Sequence, residues 1–194
     1  MRNASPAHLR LRAASAADHA RVDACFPQGL CDDGTYRRYL RGMHALLSAL
    51  SAACPQLASE FSPMHEALAA DLFALDAALP EAPPSPPIDT DAARLGARYV
   101  IEGSTMGARI LQRQSLELGH DARRGARFLA YHLARGQHIW PALQQELATL
   151  DDAGVRFDAV LQSTRDTFAL AARCFGCTMA PPGDEDAPTN AGCA

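Results

Sequence analysis

The 194-residue chain contains no lysine; all 18 of its basic side chains are arginine. Aromatic residues make up only 6% of it, with a single tryptophan, and no useful stretch alternates apolar with polar residues, so a strand-rich fold is disfavoured. Gly and Pro, at 13 each, are too few and too irregular for a collagen-like chain. Positive charge is also short. A formal net charge of −4 offers no basic field for a nucleic-acid backbone. No run approaches the roughly 20 uncharged apolar residues of a membrane-spanning helix, because Arg, Asp or Glu interrupts every candidate. Met1–Arg12 carries arginines, but no continuous apolar run follows, unlike a secretory signal or an anchor. Six cysteines in a chain of this length fall short of a disulfide scaffold, so the expected setting is cytoplasmic, with free thiols.

What the chain has in abundance is alanine, 39 residues of it, with Leu, Arg, Gln and Glu, all good helix formers. Apolar residues recur with the helical period almost throughout. The first helix is expected over about Pro6–Phe26, ending at Pro27 and Gly29, and the second over about Gly34–Ala53. A third begins with Ser62 as a cap and Pro63 in the first turn. Pro80–Pro87 cannot be helical and reads as a stiff connector. A long fourth helix follows over about Thr90–Leu118, then shorter ones over Ala122–Leu133 and His138–Leu150, the latter with Pro141 in its first turn. The last runs over about Val155–Phe175. The pattern predicts an all-α single domain over residues 1–180, and a Pro/Gly/Asp-rich, disordered tail over 181–194.

Against so much alanine, glycines inside the fourth helix stand out. Each costs about 1 kcal/mol relative to alanine, yet Gly96, Gly103 and Gly107 lie seven and four residues apart, on one face. A face without side chains admits either a neighbouring helix or a flat ligand, and glycine also permits a kink. On the first helix, Arg12, His19 and Asp23 are likewise spaced by seven and four, along one stripe. A neutral imidazole is a suitable axial ligand for haem iron. An arginine two turns away can meet a propionate, and Asp23 can receive the other ring N–H.

The two segments together resemble the haem oxygenases, in particular the bacterial ones that supply biliverdin to bacteriophytochromes. Arg12 through Asp23, R-A-A-S-A-A-D-H-A-R-V-D, is similar to that family's stretch around its proximal histidine. Tyr99 through Ala108, Y-V-I-E-G-S-T-M-G-A, resembles its distal-helix signature. Phe128-Leu129, Tyr131, Gly136, Trp140 and Thr167–Leu170 resemble its later helices, so the likeness spans about residues 8–176. It implies a helical bundle with haem between the first helix and a glycine-kinked distal helix. His19 would ligate iron, Arg12 and Tyr99 would meet propionates, and Phe168 would border the pocket. Gly103, Ser104 and Gly107 would form the distal, catalytic wall. Haem would be cofactor and substrate, cleaved with dioxygen and an external electron donor, such as a ferredoxin or a reductase, to biliverdin, carbon monoxide and ferrous iron. A bacteriophytochrome receiving the biliverdin is the implied partner. The alternative is a haem-sequestering protein of the same fold. Some members have aspartate where this chain has Ser104, which leaves the route of proton delivery open; Ala108 stands where many have a third glycine.

Other features carry less. Cys174-Phe175-Gly176-Cys177 lacks the second pair of a zinc site and the βαβ context of a redox motif. Trp140 reads as a core anchor, and His132 as a residue that could border the pocket. Arg123, Arg124 and Arg127 read as a solvated face on which an acidic electron donor could dock.

Overall fold

The computed structural model describes residues 5–151 and 154–177; the tail expected over 181–194 lies outside them. Among the described residues there are eight helices and no strand: α1 (Pro6–Ala14), α2 (Ala16–Asp23), α3 (Asp33–Ala53), α4 (Pro55–Ala74), α5 (Asp91–Gly103), α6 (Thr105–Glu117), α7 (Arg127–Leu147) and α8 (Val155–Cys174). Helix α3 falls where its apolar period places it, capped by the Asp32 carboxylate on the Thr35 N–H. Thr90 caps α5 in the same way. The expected stiff connector is the irregular stretch between α4 and α5.

Several expected boundaries are corrected, each for a physical reason. The first helix is broken at Ser15, whose buried hydroxyl donates to the Leu11 carbonyl. Such back-bonding competes with the helical ladder and bends it. Ser62 is not a cap. Helix α4 starts at Pro55 and runs through Pro63, because Leu57, Phe61, Met64, Leu68 and Leu72 form one fully buried stripe. An internal proline costs about 3 kcal/mol, and burying five large side chains at about 1.5–3 kcal/mol each outweighs it. The two helices expected over 122–150 are one, α7, with Pro141 in its interior rather than its first turn. Its start has no local cap; the buried Asp71 of α4 accepts the N–H groups of Arg127 and Phe128 at 3.0 and 2.8 Å. Burial pushes the Asp71 carboxyl up, and those two N–H groups oppose the shift.

The long fourth helix is divided at Ser104. There the Ser104 hydroxyl donates to the Ile101 carbonyl at 2.7 Å and the Thr105 hydroxyl to that of Glu102 at 2.7 Å. Two consecutive back-bonds beside Gly103 supply the kink. The thiols are also not all free. Cys25, after α2, and Cys177, after α8, form a disulfide with their Cα atoms 5.4 Å apart. The C-x-x-C therefore does not close on itself, and Cys174 remains a thiol whose pKa burial pushes up to about 11. Arg38 ties the same two segments, donating to the carbonyls of Cys25 and Phe175.

Two cores result. A larger one gathers α3, α4, the start of α7 and the end of α8 around Tyr36, Leu47, Phe61 and Phe128. A smaller one joins α1, α5, α7 and α8 around Leu11, Leu95, Leu143 and Phe157. No helix is long and apolar enough to cross a membrane among the described residues.

Candidate functional site

The three glycines that share a face have different surroundings. A methyl group on Gly96 would stand 2.5 Å from the Val160 carbonyl oxygen and 2.9 Å from the Thr164 nitrogen, so this glycine admits the backbone of α8. The Ser163 hydroxyl reinforces that crossing by donating to the Ala93 carbonyl at 2.6 Å. Gly103 has only the Trp140 ring at an ordinary 3.5 Å. Gly107 faces open space, with nothing within 4 Å of its missing methyl group. The neighbouring-helix explanation therefore holds at Gly96, Gly103 is turned to the Trp140 ring of α7, and of the three it is Gly107 that looks onto open space. Met106 and Ile110, at 71% and 54% exposure, extend that surface as apolar ground.

His19 stands on α2 with an exposed side chain, its Nδ1 2.9 Å from Asp23 Oδ2. An N–H at Nδ1 donates to that carboxylate and leaves the Nε2 lone pair without a protein partner, the arrangement that orients a metal-binding histidine. The His19 ring and Phe168 of α8 meet in a T-shaped contact, with centroids 5.6 Å apart. Arg12 is exposed and forms no ion pair or hydrogen bond among the described residues, yet its charge reaches His8 and Tyr99. Burial lowers the pKa of His8, helped by Arg12; it raises that of Tyr99, and there Arg12 opposes it. The Tyr99 ring is buried between His8 and Trp140, at 6.0 and 5.9 Å. The structure thus joins His19 with Asp23 and Phe168, and Tyr99 with Trp140 and, through it, Gly103. No hydrogen bond, ion pair or ring contact joins these two sets among the described residues.

Residues outside the predicted site set hold the kink from behind. Glu102 is fully buried, and its Oε1 receives Arg135 Nη2 at 2.8 Å. Arg135 also reaches Glu60, which pairs with Arg98, which pairs with Glu146. Burial raises the Glu102 pKa against the pull of Arg135. His132, also fully buried, places Nε2 2.8 Å from the Ser104 hydroxyl. Gly136 lets Thr105 approach; a methyl group there would stand 2.6 Å from Thr105 Cγ2. A cleft of about 770 Å³ opens elsewhere, among Arg37, Arg38, Arg41 and Pro80–Pro84. Arg38 and Arg41 are already engaged there with backbone carbonyls.

No family model matches the chain. A haem oxygenase of Xanthomonas campestris pv. campestris (strain 8004) is 35% identical to it over 157 residues, which are 75% of this chain and 82% of that protein. The chain belongs to the haem oxygenase family. Its fold agrees: a crystal structure of the NO- and CO-bound haem oxygenase from Neisseria meningitidis superimposes with a TM-score of 0.67, covering 89% of this chain and 93% of that one. At 24% identity this second likeness is one of fold. Like other haem oxygenases, the chain is an enzyme, and it is built entirely from helices over its described residues.

Proposed function

We propose that the protein cleaves haem oxidatively to biliverdin, carbon monoxide and ferrous iron, using dioxygen and electrons from a ferredoxin or a reductase. The observation that carries this reading is the state of His19: exposed, fixed through Nδ1 by Asp23, with Nε2 free. Other features of the surface fit the same group. A flat macrocycle needs a face without side chains, and Gly107 looks onto open space; its propionates need a cation, and Arg12 is unpaired among the described residues.

When bound, haem supplies both the redox-active iron and the meso carbon that is oxidised. The residues of this chain do the rest. His19 would ligate the iron through Nε2, with its ring oriented by Asp23. Phe168 fixes the imidazole plane through its edge contact. Arg12 holds a propionate by a charge-assisted hydrogen bond, with Tyr99 beside it. Gly107 would leave room for dioxygen, and the exposed Ser104 would offer a hydroxyl beside it. Arg123 and Arg124, exposed near the start of α7, suit an acidic electron donor. The biliverdin formed can serve a bacteriophytochrome.

The test is titration with hemin, followed by reductant and chromatography of the product. A Soret band that decays to biliverdin is expected, and His19→Ala should largely abolish turnover. A band that persists under reductant would mean sequestration instead. Normal biliverdin production by His19→Ala without added imidazole would refute the ligand assignment.

A further inference from the structure

Ser104 has one hydroxyl proton and two lone pairs to place. Two partners lie within reach, the Ile101 carbonyl at 2.7 Å and His132 Nε2 at 2.8 Å. The carbonyl can only accept, whereas the imidazole nitrogen either donates or accepts. The other ring nitrogen decides between these roles. His132 Nδ1 is buried without a hydrogen-bond partner. A proton on it would be a buried, unsatisfied donor, and the serine proton would then have to choose between two acceptors. With the proton on Nε2, both close contacts are satisfied at once. Ser104 donates to Ile101, and His132 donates to Ser104. The doubly protonated ring is excluded by burial and by Arg135, which together hold the His132 pKa down at about 4.

This leaves Ser104 with a single lone pair to present outward and no proton to give. A freely rotating serine would donate and accept in turn. One fixed as an acceptor orients any water bound to it: the water directs one O–H at Ser104 and keeps the other for what lies beyond. We infer that His132 is a positioning residue for the distal side, holding the Ser104 hydroxyl as an acceptor so that a water there presents its remaining O–H to the oxygen substrate. The role rests on the haem oxygenase reading; the hydrogen-bond arrangement does not.

His132 has little freedom to do otherwise. Its ring stacks on Phe128 at 5.3 Å and 12°, and the Phe128 N–H is itself fixed by Asp71. One turn further, Gly136 seats Thr105; another turn on, Trp140 meets Gly103. The stripe 132, 136, 140 on α7 thus sets the register of residues 103–105.

Two measurements test the inference. In a nitrogen-15 spectrum of the apo protein, His132 should be the Nε2–H tautomer at neutral pH; the Nδ1–H tautomer would overturn the arrangement. His132→Leu should bind hemin like the wild type but turn over about 10–100-fold more slowly, with a larger solvent deuterium isotope effect. His132→Gln, which restores an N–H, should recover part of the rate. Adding Ser104→Ala to His132→Leu should cost little more, since the pair acts as one unit. Wild-type turnover and isotope effect in His132→Leu, or losses in the double variant that simply multiply, would overturn the role. Wild-type protein that binds hemin yet forms no biliverdin would refute the parent reading and the role with it, while the tautomer spectrum still judges the hydrogen bonds.

Discussion

Gly96→Ala and Gly107→Ala make the same chemical change with opposite expected consequences. In a helix the added methyl group is worth about 0.5–1 kcal/mol in favour of alanine. At Gly107 nothing lies within 4 Å to oppose that gain. The apo protein should therefore be stabilised by about 0.5–1 kcal/mol, raising its Tm by roughly 1–4 °C for a chain of this size. At Gly96 the methyl would meet the Val160 oxygen at 2.5 Å, Ser163 Cβ at 2.8 Å and the Thr164 nitrogen at 2.9 Å. Two of these are backbone atoms of α8 and cannot turn aside. Overpacking of this kind costs about 1–3 kcal/mol or more and exceeds the propensity gain, so Tm should fall by several degrees. Hemin titration supplies the second half of the prediction. Gly107→Ala places its methyl group on the face assigned to haem, so affinity and turnover should fall although the fold is more stable. Circular dichroism melts of the apo variants and Soret titrations measure the two effects separately. Destabilised Gly107→Ala would refute the open face; a stabilised variant with unchanged hemin binding and turnover would refute the reason given for the glycine.

Arg135→Met should cost about 3–5 kcal/mol in denaturant melts, because it leaves the buried Glu102 carboxylate without its cation. Adding Glu102→Gln should recover part of that loss, and a double variant no more stable than Arg135→Met would contradict the pairing. His132 titrates at about 4 when folded and near 6.5 when unfolded. Its contribution is therefore complete above pH 6.5 and is lost as pH falls towards 4, about 3 kcal/mol in all; stability measured against pH should fall less steeply over that window in His132→Leu. Reducing the Cys25–Cys177 bond should lower stability by about 2–4 kcal/mol. Alkylation before and after reduction should add label at those two cysteines, while Cys174, its pKa near 11, reacts slowly throughout.

Much of this was legible in the sequence, and what was not has common causes. The apolar period placed α3 and α8, and the Arg12–Asp23 and Tyr99–Ala108 motifs supplied the residues proposed for the two faces. The prolines escape a local rule because burial decides at these positions. Pro63 and Pro141 read as helix starts, but the buried stripes of α4 and α7 run through them. That error had a functional consequence. His132, Gly136 and Trp140 are spaced by four residues, a pattern visible in the sequence, yet the expected break between Leu133 and His138 separates His132 from Trp140 and leaves Gly136 between the two helices. Only on one continuous helix do they form a stripe against the kink. The cap of α7 by Asp71 and the Cys25–Cys177 pair join residues 56 and 152 positions apart, and no local pattern announces either.

The kink itself has to be held from outside. A glycine followed by two back-bonding hydroxyls weakens the helical ladder without selecting one bend angle. Here each residue of the weak point has its own partner on α7: Glu102 has Arg135, Gly103 has Trp140, Ser104 has His132 and Thr105 has Gly136. These contacts differ in kind, as an ion pair, an aromatic contact, a hydrogen bond and a close approach, so no single one fixes both the angle and the side chains. The geometry of the face proposed as distal is thus set by contacts from α7. It follows that substitutions along α7 should alter the rate and the position of ring cleavage more than they alter hemin affinity, which the proposed function assigns to Arg12 on α1 and His19 on α2. Comparing the cleavage products and hemin affinities of Gly136→Ala and Arg12→Ala separates the two. Gly136→Ala must displace Thr105 and should change rate or regiochemistry first, whereas Arg12→Ala should weaken binding first. The reverse order would mean that the kink is set by the ligand rather than by α7.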